Sequence, residues 1–480
     1  MDTQTITNES SKSITITEKK SLENGLFIFR RDFRITDNHG LNQLVSMCKN
    51  VYTIFIFTPE QVGNSNAYKS NNAVQFMIES LEDLSAAISQ KGGRLYTFYG
   101  HNESVVSNCI KYYHIDIVGF NKDYTPYALK RDDSISDLCK KMGVECIQVG
   151  DYYLHEPGTI FNGSGTAYQK FTPYYETSMK HAVEKPAPQK KQMKFTKKSG
   201  SVPGNHLISL NDAFFKFTKT NENTLIGGRK QAIQALKTAL KTQNHYASTR
   251  NDLDKPSSKL SAYIKFGCLS IREVFWAFKS KNYHDLNRQL VWRDFYMNIL
   301  YSYPRVLGRP MKPAYSKIKW HHNSRWLDAW KNGMTGFPVV DAAMRELNTT
   351  GFMHNRARLI VASFLVKTLL INWKEGEKYF ATKLTDYDVA SNNGNWQWVA
   401  GTGADSQQYN RIFNPWTQSL EHDPDCVYIK KWIPELNELD PKVIHSWYKY
   451  WGEYKDIKYV KPICDFSEQR KAALEMYSVV

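Results

Sequence analysis

Five short runs of β-branched and aromatic residues, "GLFIF" (25–29), "VYTIFIF" (51–57), "RLYTFYG" (94–100), "IDIVGF" (115–120) and "VECIQVG" (144–150), are separated by helical patterns such as "NNAVQFMIESLEDLSAAISQ" (71–90). Strands that alternate with helices are joined by crossovers and therefore run parallel. Residues 24–155 are thus expected to form an α/β domain around a Rossmann-like parallel sheet. No GxGxxG follows the first run; "FRRDFRITDNHGL" stands there instead, so a dinucleotide site of the usual kind is not expected in this domain.

Residues 1–23, rich in Ser, Thr and Lys, read as a flexible tail. Residues 156–207 read as a connector, and within it "EKPAPQKKQMKFTKKSGSVPG" (184–204) reads as an exposed, solvated linker. From residue 208 to 480 the texture is helical and strongly aromatic, with the tryptophans concentrated between Trp276 and Trp451. An all-α domain is expected there. A single tryptophan is usually a packing residue, but a cluster set among regular motifs asks for more.

The apolar runs are too short and too interrupted to span a membrane, and no signal core opens the chain. Seven scattered cysteines without a CxxC pair argue against a disulfide framework or a structural metal site, so a soluble protein of a reducing compartment, cytoplasm or nucleus, is expected. A net charge of +16 predicts attraction to polyanions, nucleic acid being the commonest.

Four stretches carry candidate chemistry. "PSSKLSAYIKFGCLS" (256–270) presents Ser257, Ser258, Lys259 and Ser261 at an expected helix start, where hydroxyls, free N–H groups and a cation suit a phosphate. "RQLVWRDFYMNIL" (288–300) sets Gln289, Trp292, Arg293 and Tyr296 on one helical face, suited to a flat aromatic ligand or to a polar seam between helices. In "GFMHNRARLIVASFLVK" (351–367), Asn355 and Leu359 share a face. Arg358 there could pair with Asp386 or Asp388 of "TDYDVASNNGNWQW" (385–398); a buried ion pair is expensive unless it also organises a site. No nucleophile–base pair, zinc spacing or paired catalytic carboxylates emerge, which points away from hydrolysis and toward redox or photochemistry.

With "FIFRRDFRITDN", "YQKFTPYY", "SSKLSAYIKFGCLS", "WRDFY", "TGFPVVDAAMRELNTTGFMHNRAR", "LINWKEGEKYF", "DYDVASNNGNWQWVAGTGAD" and "RIFNPWTQ" in order, the chain from about Gly25 onward resembles the DNA photolyase/cryptochrome family. It is most similar to the class I cyclobutane pyrimidine dimer photolyases. The resemblance implies FAD bound in the helical domain, a monomer, UV-damaged DNA as partner, and light-driven electron donation from reduced FAD to a flipped-out dimer. An antenna chromophore, a folate or a deazaflavin, would occupy the N-terminal domain.

Site residues are implied position by position. Tyr246 with Ser257, Ser258, Lys259, Leu260 and Ser261 would hold the pyrophosphate and ribityl chain, and Gln289 and Arg293 would flank the cofactor. Asn355 would face adenine and lesion, Arg358 paired with Asp386 would lie beside the isoalloxazine, Tyr387 would join the cofactor site, Asp388 would bond the ring edge, and Asn392 would face N5. Trp320, Trp373 and Trp396 match the family's electron-transfer chain. Trp292 and Trp398 match residues that pack on the lesion, with Gln289, Tyr296 and Leu359 around it, while Arg356 and Gln418 match DNA contacts.

Two positions depart from the dimer-photolyase pattern. Gln289 stands where that class usually has Glu, and Leu359 replaces the usual Met. A Gln there is more like the 6-4 photoproduct photolyases, but those carry a His pair where this chain has His354-Asn355. A cryptochrome-type blue-light photoreceptor is the rival from another functional class, and no long extension follows "PICDFSEQRKAALEMY".

Overall fold

In the computed structural model, which describes residues 21–200, 202–204 and 206–480, a parallel sheet is built outward from its first strand. The strands are β1 (Leu22–Phe29), β2 (Cys48–Phe57), β3 (Leu95–Tyr99), β4 (Ile117–Asn121), β5 (Glu145–Val149) and β6 (His206–Leu207), in the spatial order β5-β4-β1-β2-β3-β6. Gly25 of β1 registers with Val51 on one side and Ile117 on the other. Helices α1 (His39–Met47), α2 (Asn71–Gln90), α3 (Asn102–Tyr113) and α4 (Pro126–Lys141) make the crossovers, and only β6 runs antiparallel. Leu26, Phe27, Ile28 and Phe29 are all buried because helices cover both faces, which is why the strand reads as a continuous apolar run.

Two expectations about the chain's edges need correction. Of the tail expected over residues 1–23, residues 1–20 lie outside the described residues, while Leu22 and Glu23 already belong to β1. The lysine-rich stretch 184–204 is not a solvated loop throughout. Val51 donates to the Lys194 carbonyl and Thr196 to that of Val51, and Met193, Phe195 and Val202 are buried. Apolar residues spaced among lysines tie this segment to the sheet, and Lys194 and Lys198 add to the tie by donating to the Cys48 and Tyr112 carbonyls.

The described remainder is helical apart from β6, as expected. The elements that matter for the site are α5 (Phe171–Ser178), α6 (Ile271–Ser280), α7 (His284–Ser302), α8 (Pro338–Thr350), α9 (Asn355–Lys367), α10 (Trp373–Lys383), α11 (Val389–Ala400) and α12 (Phe466–Tyr477). The core of one sheet face continues into this half. Phe33 stacks on Phe266 at 6.1 Å, and Phe76 meets Tyr263 at 5.2 Å.

A polar seam accompanies that apolar contact. Arg272 of α6 donates to Asp37 (3.0 Å) and Asp151 (2.7 Å), both of the sheet half, and Arg34 donates to Asp151 at 2.5 Å. All four side chains are essentially dry. Burial pushes the Asp37 carboxyl up, but His39, Arg272 and Ser270 outweigh it and hold it below the usual carboxylate range. Among the described residues no helix is long and apolar enough to cross a membrane.

Candidate functional site

Three consecutive helices wall a cleft in the helical half. Each is started by a side chain that also orients the site. His354 caps α9, its Nδ1 accepting from Arg356 N at 3.2 Å; Asn372 caps α10, accepting from Lys374 N at 3.1 Å; and Asp388 caps α11 through Oδ1, accepting from Ser391 N at 3.0 Å. The caps fix where the first turns begin and so aim Asn355, Arg358 and Leu359 from α9 and Asn392 and Trp396 from α11 into the same space. Asp386, Tyr387 and Asp388 complete that wall.

Within the cleft, Arg358 donates to Asp386 Oδ2 at 2.9 Å and to the Met353 carbonyl at 2.9 Å. This selects Asp386 over Asp388 as its partner. The other oxygen of Asp386, Oδ1, is buried with no protein hydrogen bond, an acceptor waiting for an N–H. Asn392 donates through Nδ2 to the Glu377 carbonyl at 3.0 Å, which leaves its own oxygen as the polar atom available to the cleft. The Glu377 side chain accepts from Asn393 at 2.8 Å, and burial raises its carboxyl. Glu377 lies in "LINWKEGEKYF", but nothing in that spelling signals that its backbone orients Asn392.

Trp396 is buried, with ring contacts to Phe380 at 5.0 Å and Trp330 at 6.2 Å. Trp373 is buried in the same core at the start of α10. Trp320 is half-buried against that core; His321 pairs with the strand-like residue Ile371, which brings the Trp320 segment beside the start of α10. Trp330, whose indole donates to the Val361 carbonyl at 3.0 Å, is an aromatic neighbour the motifs did not mark.

The other sequence-assigned residues stand around this cleft rather than in its wall. Gln289 donates to the Asp285 carbonyl at 3.4 Å within α7. Trp292 stacks flat on Phe171 of α5, with centroids 3.7 Å apart, and tilts against Tyr296 at 5.5 Å. Arg293 turns toward the sheet half, donating to the Tyr152 carbonyl at 2.6 Å, and Tyr296 reaches Asn395 of α11 at 3.3 Å. On the α7 face, Tyr296 thus bridges to another helix, while Arg293 bridges to the sheet half. Trp398 is half-buried; Arg356 donates to Asn251 at 2.7 Å and Gln418 to Glu421 at 3.2 Å.

The serine cluster differs from expectation. The helix there begins only at Ser261 and runs five residues, to Lys265, with no side-chain cap. Lys259 sits in the left-handed region at φ 50°, so Ser257, Ser258 and Lys259 lie in irregular chain ahead of the helix, with Leu260 buried behind them and Tyr246 on a separate short turn of helix. Hydroxyls on irregular chain still donate to an anion, without the help of a helix N-terminus.

The cleft can hold a flat heterocycle with an N–H edge. It offers an orphaned carboxylate oxygen, a guanidinium, asparagine amides and an indole side by side. A flavin ring presents N–H and carbonyl groups along one edge, so the donor set fits FAD. Among the described residues no cluster of His, Cys, Asp and Glu could hold a metal ion.

Comparison with known proteins agrees. Residues 26–191 match the DNA photolyase family model, and residues 286–479 match that of the FAD binding domain of DNA photolyase. The deoxyribodipyrimidine photo-lyase of Alkalihalophilus pseudofirmus is 33% identical over 477 residues, covering 94% of this chain and 96% of that protein. That of Escherichia coli is 32% identical, with 94% and 97% covered. An archaeal photolyase from Sulfolobus tokodaii, solved with two FAD molecules, superposes with a TM-score of 0.85 at 37% identity over 95% of this chain and all (100%) of that one. A class III photolyase from Agrobacterium tumefaciens gives 0.88 at 29% identity, with 97% and 99% covered. A cryptochrome from Synechocystis gives 0.85 at 26% identity, with 95% and 100% covered. With its α/β sheet, its helical FAD-binding domain and full-length relatives, the chain belongs to the DNA photolyase/cryptochrome family.

Proposed function

We propose that this chain is a deoxyribodipyrimidine photo-lyase that splits cyclobutane pyrimidine dimers in UV-damaged DNA under light, with FAD in the cleft between α9, α10 and α11. The observation that carries the reading is the convergence of the Arg358–Asp386 pair, Asn392 and Trp396 on one cleft. FAD held there in its reduced form would supply, and take back, the light-driven electron that breaks the two cyclobutane carbon–carbon bonds of the dimer.

The chain's own residues position and tune. Asp386 offers Oδ1 to a ring N–H, Arg358 holds its other oxygen, and Asn392 presents an amide oxygen suited to the N–H that a reduced flavin carries at N5. Tyr387 and Asp388 close the ring edge. Tyr246, Ser257, Ser258, Lys259, Leu260 and Ser261 take the pyrophosphate and ribityl chain, and Gln289 and Arg293 flank the cofactor. Trp396, Trp373 and Trp320 relay electrons inward from the surface. Trp292 and Trp398 receive the flipped lesion, with Gln289, Tyr296, Asn355 and Leu359 around it, and Arg356 and Gln418 contact the strand. A formal charge of +16 supplies sequence-independent attraction to phosphates.

The divisions that go with this reading are an antenna-type domain over 24–155, a connector over 156–207 and the catalytic domain over 208–480. Dimers are favoured over 6-4 photoproducts by His354. Burial, then Arg358 and Arg356, push its imidazole down to about 4, so at neutral pH it is no acid.

The test is illumination of oligothymidylate carrying cyclobutane dimers, in parallel with oligonucleotides carrying 6-4 photoproducts, by flavin-loaded reduced protein. Loss of dimers in light and not in darkness is expected. Flavin that photoreduces while both lesions persist would favour a photoreceptor, and a preparation unable to bind flavin would sink both readings.

A further inference from the structure

Arg31 belongs to the loop after β1, yet its guanidinium sits 357 residues away in sequence from its partner, Asp388 of the cleft. Nη2 lies 3.4 Å from Asp388 Oδ2 and Nη1 lies 3.5 Å from Asp123 Oδ1, while Nε is buried without a partner. The loop is locked in place by the turn after the short helix Ser261–Lys265. Phe33 N donates to the Phe266 carbonyl at 3.1 Å, and Gly267, at φ 64°, leaves no room for a Cβ, which would come within 2.6 Å of Asp32 Cα. Asp388 thus has one oxygen committed to starting α11 and the other facing a cation from the sheet half.

We infer that Arg31 is a positioning residue of the cleft, acting through Asp388: it neutralises that carboxylate so that the site accepts flavin in its negatively charged reduced form. The inference rests on the flavin reading above. Asp388 lines the cleft and Arg31 stands behind it, so an Asp388 without Arg31 would set a less fully compensated negative charge beside the cofactor. The groups acting on Asp388 are Arg31, Arg293 of α7 and Lys265, with Tyr153 and Tyr387 as neutral phenols and Asp123 sharing Arg31. Burial pushes the Asp388 carboxyl up, and Arg31 leads the cations that outweigh it and keep it below its usual value. Lys265 is the weaker cation beside Asp388, its ammonium brought down to about 8 by burial and by Arg31 itself.

The test compares wild type, Arg31→Gln, Arg31→Lys and the double variant Arg31→Gln/Asp388→Asn in two measurements. In the apoprotein, Arg31→Gln removes the leading cation that holds the Asp388 carboxyl down. Its deficit in Tm should then grow as pH rises through the carboxylate range, and Asp388→Asn should remove that pH dependence. With FAD bound, the midpoint potential of Arg31→Gln should fall below wild type increasingly toward high pH, with Arg31→Lys and the double variant returning toward wild type. A Tm deficit that is independent of pH and unrelieved by Asp388→Asn would make Arg31 a merely structural residue. Flavin held at an unchanged potential in Arg31→Gln overturns this inference alone. A wild-type protein that takes up no flavin overturns it together with the reading of the site.

Discussion

Gly376 lies flush against the indole of Trp396: a Cβ added to the glycine would overlap the six-membered ring at Cη2 and Cζ3, with Cζ2 also at 2.6 Å. The contact sets how closely α10 and α11 approach. In an open helix, Gly→Ala would gain about 1 kcal/mol from propensity. Here overpacking should win. Gly376→Ala is expected to lose roughly 1–3 kcal/mol in denaturant unfolding, and the displaced Trp396 should slow flavin photoreduction. An alanine variant more stable than wild type would contradict the packing argument.

Phe171 and Trp292 stack with an interplanar angle of 6°, and the Arg288 guanidinium lies 5.0 Å from the far ring. One face of Trp292 is therefore braced before any base arrives. Phe171→Leu should weaken binding of dimer-containing DNA by about 0.5–1.5 kcal/mol while sparing undamaged DNA, and Phe171→Tyr should retain wild-type discrimination. Titration of both DNAs against each variant measures this, and equal losses on the two would show that the stack serves folding alone.

Lys367 is 1% exposed, and its ammonium donates to the Arg411 carbonyl at 2.8 Å. Burial, with Arg411 adding, lowers its pKa to about 8. The unfolded chain then binds the extra proton between about pH 8 and 10, so this group makes stability rise with pH across that window, by up to roughly 3 kcal/mol. Lys367→Met should flatten the rise in denaturant midpoints. An unaltered pH profile would mean that the amine is solvated better than its burial indicates.

His354 has the same sign on the acid side. With its imidazole at about 4 in the fold and near 6.5 unfolded, stability should be lost as pH falls from about 6.5 toward 4. Dimer repair should show no histidine-like step between about pH 6 and 8. His354→Asn, which keeps a capping side chain, should soften the acid loss; a repair profile that titrates near neutrality and loses that step in His354→Asn would restore an acid role.

The sheet was legible because its strands are apolar on both faces and separated by helical periods, and the wall of the cleft was legible because Asp386, Asp388, Asn392 and Trp396 fall within one short motif. What sequence could not display was who stands behind them. Arg31 falls within "FRRDFRITDNHGL", and its partner Asp388 lies across the domain seam. Gly376 and Phe171 sat inside motifs whose spelling gives no hint of the indoles they touch. The serine cluster does lead into a helix, but the left-handed Lys259 delays its start to Ser261, which the hydroxyls before an apolar run do not reveal. The linker misled because six lysines between residues 184 and 204 hid the buried Met193, Phe195 and Val202.

Arg272, bridging Asp37 and Asp151, also restricts how such chains can be recombined. A chimera that took its sheet half from this protein and its helical half from a parent lacking that arginine would entomb two carboxylates with Arg34 as the remaining cation in contact, at a cost of about 3–5 kcal/mol. Crossover points in family shuffling should therefore inherit Asp37, Asp151 and Arg272 from one parent, whatever the loops between them tolerate.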